Sequence, residues 1–266
     1  MQVSLALIQL EVSSHETIDA RKQRVLELID EAALQADVVV LPELWHVGAF
    51  DFIAADEHAE FIDGELLAAL RESASKNGIW LHAGSFAERT QQNLLFNTSV
   101  LFDPNGEIVA NYRKIHLFGF NEGETEVFSH GSDIAVADTI LGKTALATCY
   151  DLRFPELFRA FTESGATCVV IASGWPLIRI DAWDVLLRAR AIENQTWILA
   201  CNEVGNQDGV VLGGHSQIVS PLGEVVTHAG ESECIIYATI DPDLPGEVRE
   251  DFPVLEDIRI KGSFTS

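Results

Sequence analysis

The first part of the chain alternates between strand-like and helix-like hydrophobic patterns. The apolar run VSLALIQL and the run DVVVL at 37–41 predict two buried strands. Between them, Ser13 is followed three residues later by Glu16, a spacing that predicts a capping box at the start of a helix. Four apolar residues then share one face of that helix: Ile18, Val25, Ile29 and Ala32.

The middle of the chain predicts one further helix and then consecutive strands. The helix is expected at about 65–76 and is followed by Asn77-Gly78. The segment Asp103-Pro104-Asn105-Gly106 is typical of a turn and separates the last two strands. The strands are predicted from three runs rich in apolar and aromatic residues: IWLHAGSF, LLFNTSVLF and IVANYRKIHLF.

The second half repeats this alternation. Because the helices lie between strands, the pattern indicates an α/β fold. Two mixed sheets with helices on their outer faces would form a four-layer αββα sandwich, although periodicity alone does not distinguish that arrangement from one doubly wound sheet. The predicted elements are strands at 140–147, 168–172, 196–202, near 215–220 and near 233–240, and helices at about 155–164 and 182–193.

Length and composition limit the possible classes of protein. The 266 residues, 47% of them apolar, are expected to form a single domain over 1–266, because no Pro/Ser-rich linker, charge block or repeat interrupts them. The formal charge of −24 would repel nucleic acid and anionic membranes, and an acidic surface favours solubility. We expect a cytoplasmic protein, since the chain shows no basic leader and no apolar stretch of about 18 residues.

The four cysteines lie far apart, at positions 149, 168, 201 and 234, with no C-x-x-C pair. This spacing argues against a zinc knuckle and against a dithiol redox site. Cys149 follows the apolar strand residues TALA and precedes Pro155, which suits the first turn of a helix. The positive end of a helix would lower the pKa of an exposed thiol there, but a cysteine at such a turn is more often structural, and a catalytic role needs partners.

Glu43 and Lys114 are the candidate partners. Glu43 stands directly after the strand VVVLP, at a sheet edge where α/β proteins place ligands, although a solvated loop acid is the alternative. Lys114 follows IVANYR and lies among apolar residues, where an unpaired charge is unfavourable. A carboxylate beside a thiol can act as a general base, and an ammonium can either form a structural ion pair or stabilise an oxyanion.

Three segments together resemble the signature segments of the nitrilase superfamily of carbon–nitrogen hydrolases. They are LPELW around Glu43, YRKIHLF around Lys114 and CYDLRFPELFR around Cys149, and they are separated by 71 and 35 residues. The similarity continues through WDVLLRARAIENQ to GGHSQIVSPLGEVV and so covers nearly the whole chain.

The resemblance implies an αββα sandwich with a Glu43–Lys114–Cys149 triad. Cys149 would form a thioester with an amide substrate, with the Tyr150 N–H and the Lys114 ammonium holding the oxyanion, and without a metal or organic cofactor. The family also places a second glutamate near the site. Glu124 is the choice here, with Glu122 and Glu126 as alternatives.

The resemblance also guides the choice of substrate-binding residues. Ser173, Gly174 and Trp175 follow a strand at the same edge as the nucleophile, and Arg179 is the candidate partner of a substrate carboxylate. A narrow apolar site is expected, with walls at Trp45, Phe118 and Trp175. His116 is interpreted as a structural residue.

The run Cys-Tyr-Asp-Leu-Arg-Phe-Pro-Glu resembles the omega-amidase and nitrilase-homologue branch, whose substrates are small amides. Nitrilase or N-carbamoyl hydrolase activity, a papain-like Cys149–His215 pair and a catalytically silent interaction module are the alternatives. The family resemblance suggests at least a homodimer, with the helices after Cys149 and around 182–193 at the interface. Trp183, Leu186 and Leu187 supply apolar surface for it, which a monomer could also bury internally.

Overall fold

Two six-stranded mixed sheets form the centre of the protein. The computed structural model describes residues 1–119, 123–207 and 209–260. The strands of the first sheet are β1 (Val3–Gln9), β2 (Val38–Val40), β3 (Trp80–Arg89), β4 (Leu95–Phe102), β5 (Ile108–Arg113) and β14 (Cys234–Ile240). They lie in the order β14-β1-β2-β3-β4-β5, and only the pairs β1–β2 and β2–β3 are parallel.

The second sheet has the same plan. Its strands are β6 (Val136–Thr139), β7 (Gly142–Thr148), β8 (Cys168–Ala172), β9 (Trp197–Cys201), β12 (Gln217–Val219) and β13 (Val225–His228). They lie in the order β13-β12-β9-β8-β7-β6, again with three central parallel strands and antiparallel edges. A separate antiparallel pair is formed by β10 (Val204–Gln207) and β11 (Val210–Gly213).

Four of the described helices cover the outer faces of the two sheets. The bounds of all the described helices are α1 (Ile18–Ala32), α2 (Phe52–Glu57), α3 (Glu65–Asn77), α4 (Glu124–Val127), α5 (Pro155–Glu163), α6 (Ile180–Asn194) and α7 (Leu244–Asp251). Helices α1 and α3 share one core cluster with the first sheet, and α5 and α6 share another with the second. No helix within the described ranges is long and apolar enough to cross a membrane.

Strand β1 shows why the structure has four layers. Its residues Val3, Leu5 and Leu7 are buried in the cluster that both sheets share, whereas Ala6 and Ile8 are buried against the helices. Because successive side chains of a strand point to opposite faces, a strand that is apolar at almost every position must be covered on both sides. The four-layer αββα sandwich expected from the sequence is confirmed.

The start of α1 differs from the expectation. The predicted capping box of Ser13 and Glu16 is wrong, because the helix begins later and Thr17 is its N-cap, with a side chain that accepts from the N–H of Ala20 at 3.3 Å. Glu16 binds basic side chains of the helix instead: its carboxylate accepts from Arg24 at 2.7 Å and from Arg21 at 3.2 Å.

Two predicted strands also have different bounds. The strand expected over 108–118 ends one residue before Lys114, because the N–H of Ile115 donates to the Tyr112 hydroxyl at 3.2 Å and the chain leaves the sheet. The strand expected over 140–147 begins two residues later, and the preceding residues form the turn between β6 and β7. Several short elements, each four to eight residues long, were not predicted: α2, α4, α7, β6, β10, β11 and β13.

Gly84 lets β3 approach the segment that carries Glu43. Its φ of 70° lies in the left-handed region, and a Cβ at this position would lie 1.9 Å from the carbonyl oxygen of Pro42. The next residue, Ser85, donates its N–H to the same oxygen at 3.2 Å and accepts at Oγ from the N–H of Leu44 at 3.0 Å. The backbone on both sides of Glu43 is therefore fixed by β3.

Candidate active site

The three motif residues meet where strands of the two sheets end. Glu43 comes three residues after β2, and Cys149 directly follows β7. Lys114 directly follows β5, at the edge of the first sheet. All three side chains are buried, and they line one cavity.

The Lys114 ammonium lies between two buried carboxylates. Its Nζ donates to Glu43 Oε1 and to Glu124 Oε2, each at 2.7 Å. Burial lowers the pKa of Lys114, but Glu124 and Glu43 outweigh this effect and hold it well above its ordinary value. Burial raises the pKa of Glu124, which Lys114 partly offsets. The lysine is therefore a fixed positive charge between two carboxyl groups.

Asn97 connects the same two carboxylates. Its Nδ2 donates to Glu43 Oε1 at 2.8 Å and to Glu124 Oε1 at 2.9 Å. Two backbone amides complete the set: the N–H of Gly174 donates to Glu43 at 2.9 Å and that of Phe118 to Glu124 at 2.7 Å. The sequence did not predict Asn97, and the only available signal was that Asn97 is the first of three consecutive polar residues in the buried strand β4.

Of the two candidate second glutamates within the described residues, Glu124 is the one in contact with Lys114. Glu126, two residues further along α4, is exposed. Glu122 lies outside the described residues.

Cys149 stands at a sharp turn between β7 and α5. Its φ of 43° is unusual for a residue with a side chain, and it begins a 3-10 turn over Cys149–Arg153. Thr148 and Asp151 form a reciprocal capping box around this turn. The conformation is one that neighbouring contacts must hold in place.

Asp151 supplies those contacts. Its Oδ2 accepts from the N–H of Thr148 at 2.9 Å and from the hydroxyl of Tyr112 at 2.7 Å. Its Oδ1 accepts from the N–H of His116 at 3.1 Å and lies 2.7 Å from the ring Nδ1 of the same residue. This buried carboxylate therefore joins the turn of Cys149 to the segment of Lys114. His116 has the structural role expected of it.

The expected effect of a helix end on Cys149 is wrong. The 3-10 turn separates the thiol from the start of α5, and the thiol is buried. Burial raises the pKa of Cys149 well above its ordinary value, the charge of Glu43 raises it further, and Lys114 opposes both only in part. The surroundings of Cys149 therefore favour the neutral thiol over the thiolate.

The cavity above the sulfur encloses about 420 Å³, including its open mouth. Five predicted residues line it around the triad: Glu124, Tyr150, Phe118, Gly174 and Trp175. Arg179 also lines it, at an exposed position. The sequence did not predict five further lining residues: Ala49, Phe50, Phe52, Arg153 and Pro176.

Two expected pocket residues lie outside this lining. The Trp45 side chain is buried in the core beside the first sheet, where its Nε1 donates to the carbonyl oxygen of Ala83 at 2.9 Å, so its expected place in the pocket wall is wrong. Ser173 is fully buried and its carbonyl oxygen lies 3.5 Å from the Glu43 nitrogen. It borders the triad without lining the cavity.

Comparison with known proteins agrees with this geometry. The family model described as "Carbon-nitrogen hydrolase" matches residues 4–250. The chain belongs to the carbon–nitrogen hydrolase family. The resemblance to the nitrilase superfamily is thereby confirmed.

Relatives of this hydrolase include several amidases. The 2-oxoglutaramate amidase of Paenarthrobacter nicotinovorans is 40% identical over 97% of this chain and 90% of its own length. The omega-amidase NIT2 of Homo sapiens is 36% identical over 96% of this chain and 94% of its own length. Among solved structures, Nit3 of Saccharomyces cerevisiae, a member of branch 10 of the nitrilase superfamily, has a TM-score of 0.87 at 31% identity and covers 97% of both chains.

The geometry does not support the papain-like alternative for this hydrolase. His215 is absent from the cavity lining in the described part of the chain, and its Nδ1 lies 3.0 Å from Asp184 Oδ2. Glu43, in contrast, lines the cavity together with Cys149 and accepts from Lys114 Nζ at 2.7 Å.

A further buried glutamate lies behind the site of the hydrolase. A methyl group on Gly174 would lie 3.2 Å from Glu203 Oε2 and 3.7 Å from Glu43 Oε2, so the two carboxyl groups face the same small space. Glu203 Oε2 accepts from Gln207 at 3.1 Å, and Gln207 in turn accepts from the N–H of Phe50 in the cavity wall at 3.0 Å. Burial raises the pKa of Glu203 well above its ordinary value, and the charge of Glu43 adds to this effect.

We predict that Glu203 makes the hydrolase less stable as the pH rises. Its carboxyl group stays protonated in the folded protein while it ionises in the unfolded chain, so the free energy of unfolding falls by up to about 1.4 kcal/mol per pH unit above the ordinary glutamate pKa. Glu203→Gln should remove this contribution. Denaturant unfolding between about pH 5 and pH 8 measures the free energy of unfolding of the wild type and of the variant. Exposed Glu163→Gln is the control, and parallel curves for wild type and Glu203→Gln would contradict the prediction.

Proposed function

We propose that this hydrolase cleaves a short omega-amide, an amide whose far end carries a carboxylate, to the dicarboxylate and ammonia. The observation that carries the proposal is the cavity, which places Cys149 beside the Lys114 ion pairs at its base and has two arginines in its lining. The relatives named 2-oxoglutaramate amidase and omega-amidase support the same class of substrate.

In the proposed reaction, Glu43 takes the proton of the Cys149 thiol as the sulfur attacks the amide carbon. The carbonyl oxygen becomes an oxyanion, which the Lys114 ammonium and the N–H of Tyr150 stabilise. Glu43 returns the proton to the amide nitrogen, the carbon–nitrogen bond breaks, and ammonia leaves a thioester. Glu43 then activates water to hydrolyse the thioester, which restores the thiol and releases the acid.

The ion pairs support this assignment of roles. A thiol with a raised pKa needs a proton acceptor within the site, and the Lys114 contact with Glu43 Oε1 leaves the ammonium next to the same reacting centre. Glu124 holds the other side of the ammonium and so fixes its direction. We assign Glu124 to positioning of Lys114 and not to proton transfer.

Two arginines are the proposed partners of the distal carboxylate. Arg153 is half-buried, and its guanidinium lies 4.8 Å from the centre of the Trp175 ring. Arg179 is exposed, and its guanidinium lies 5.7 Å from the centre of the Phe118 ring. Within the described ranges, neither forms an ion pair with a protein carboxylate. An arginine that has no carboxylate partner within the protein and lies at a cavity wall can bind a substrate carboxylate through two parallel hydrogen bonds.

Removal of the triad groups tests the proposed chemistry. Cys149→Ala should abolish ammonia release, and Lys114→Ala and Glu43→Gln should each lower kcat by about two to three orders of magnitude, the range seen when an oxyanion donor is lost. The activity of each variant is measured as ammonia release from a panel of short amides, omega-amides, carbamoyl compounds and nitriles. Cys168→Ala, Cys201→Ala and Cys234→Ala are the controls, with circular dichroism to check folding.

The same panel distinguishes the alternatives. Normal activity in folded Cys149→Ala would overturn the mechanism. Faster turnover of a nitrile or a carbamoyl compound than of the matching amide would assign the chain to another branch, and no turnover of any compound would favour a silent interaction module.

Replacement of the arginines tests the specificity for acidic amides. Arg153→Gln and Arg179→Gln should raise KM for omega-amides more than for neutral amides of the same length, by about tenfold or more for the stronger contact, with kcat little changed. KM rises without a change in kcat because these variants remove an interaction with the distal carboxylate that is already present in the ground state. Equal effects on both kinds of amide would exclude that arginine from carboxylate binding. Arg159→Gln, remote from the cavity lining, is the control.

We also propose that residues 1–266 act as one domain, in the cytoplasm and as at least a homodimer. The four cysteines are free thiols, which fits a reducing compartment. Trp183 and Leu187 are fully buried within the chain and supply no surface for a dimer. Val185 and Ile192 lie two turns apart on α6 and are 66% and 49% exposed. These two side chains are the proposed apolar surface of the dimer interface.

Light scattering at micromolar concentration should give a mass near twice the 29.2 kDa of the chain. Val185→Glu combined with Ile192→Glu should shift the protein towards the monomer, because a charge buried in an interface is unfavourable. Exposed Leu34→Glu on the other side of the fold is the control. A monomeric mass for the wild type would contradict the dimer.

A further inference from the structure

A second cluster of chemically active side chains lies outside the active site. It consists of Asp184 on α6, His215 two residues before β12 and His228 at the end of β13. One ligand atom from each lies within 4.8 Å of the other two. The closest pair is His215 Nδ1 and Asp184 Oδ2, at 3.0 Å, and the two imidazole ring centres are 4.6 Å apart.

We propose that these three side chains form a binding site for a transition-metal ion, with Zn²⁺ as the best fit. Two imidazole nitrogens and one carboxylate oxygen are ligands that Zn²⁺ accepts, at about 2.0–2.2 Å, and a water can fill a fourth position. Magnesium and calcium ions prefer oxygen ligands and should not compete. Because His228 is exposed, its ring can rotate to bring the three ligand atoms to the spacing that the ion needs.

Neighbouring residues hold two of the ligands in place. Gln217 Nε2 donates to Asp184 Oδ1 at 2.8 Å, which leaves Oδ2 directed to the histidine. The indole nitrogen of Trp183 donates to the carbonyl oxygen of His215 at 2.8 Å, where the backbone has a φ of 57°. Groups that orient the ligands in this manner are typical of built metal sites.

The strand register accounts for the third ligand. His228 pairs with Gln217 across β12 and β13, so both side chains stand on one face of the sheet, where Gln217 contacts Asp184 of α6. His215 lies outside β12, and its contacts with His228 and Asp184 place it beside them. A simple hydrogen-bonded pair of His215 and Asp184 would not account for the third side chain, His228, beside them. The site also lies near the cavity, since Trp183 contacts the lining residue Trp175 with ring centres 5.4 Å apart.

Zinc binding is measured by titration calorimetry, with Cys149→Ser as the parent protein so that the active-site thiol cannot bind the ion. We expect one Zn²⁺ per chain and a higher melting temperature with the ion. His228→Gln and Asp184→Asn should each lose at least about tenfold in affinity, and Gln217→Ala about tenfold through the orienting bond. His15→Gln, an exposed histidine elsewhere, should bind as the parent does.

Cobalt provides an independent measurement. The visible absorption of bound Co²⁺ reports nitrogen and oxygen ligands at a site of low coordination number, and the signal should disappear in His228→Gln. Absence of Zn²⁺ binding at millimolar concentration would overturn the proposal, as would equal affinity in the parent, His228→Gln and Asp184→Asn. Because the parent is inactive by design, these outcomes do not depend on the proposed amidase reaction.

Discussion

The ion pairs of Lys114 with Glu43 and Glu124 constrain the rest of the structure. Three buried charged groups are unfavourable unless each is paired and hydrogen-bonded, and removal of one partner would leave an uncompensated charge in the interior. The fold supplies the missing hydrogen bonds from distant segments: Asn97 on β4 and a backbone N–H of Gly174 after β8. Both sheets must therefore be in place before the site can exist.

This arrangement also determines how the thiol reacts. One ammonium stands against two carboxylates, so the surroundings of Cys149 carry an excess of negative charge and the neutral thiol is favoured. A stable thiolate in the resting site would add another buried negative charge. In the proposed reaction, proton transfer to Glu43 accompanies attack and avoids this state, because the negative charge develops on the oxyanion, which Lys114 would stabilise.

The sequence was informative where the chemistry lies in contiguous segments. Glu43, Lys114 and Cys149 could be predicted because each stands in its own motif at a strand end, and the sandwich could be predicted from alternating elements. Asn97 and Glu203 could not, because their importance comes from contacts between strands far apart in the chain, which one sequence does not show. The pKa of Cys149 was misjudged for a related reason: burial and neighbouring charge are three-dimensional, and the local helix end is separated from the thiol by a 3-10 turn.

An acidic substrate poses a problem of charge for this protein. The chain has a formal charge of −24, and a carboxylate that enters the cavity approaches two buried glutamates. Salt screens exposed charges beyond about 8 Å at physiological ionic strength, so the overall charge matters less than the groups at the wall. Arg153 and Arg179 lie at that wall, and Lys114 is already occupied by its two carboxylates. In the proposed function, these two arginines must therefore bind the distal carboxylate of the amide against the repulsion from the same two glutamates.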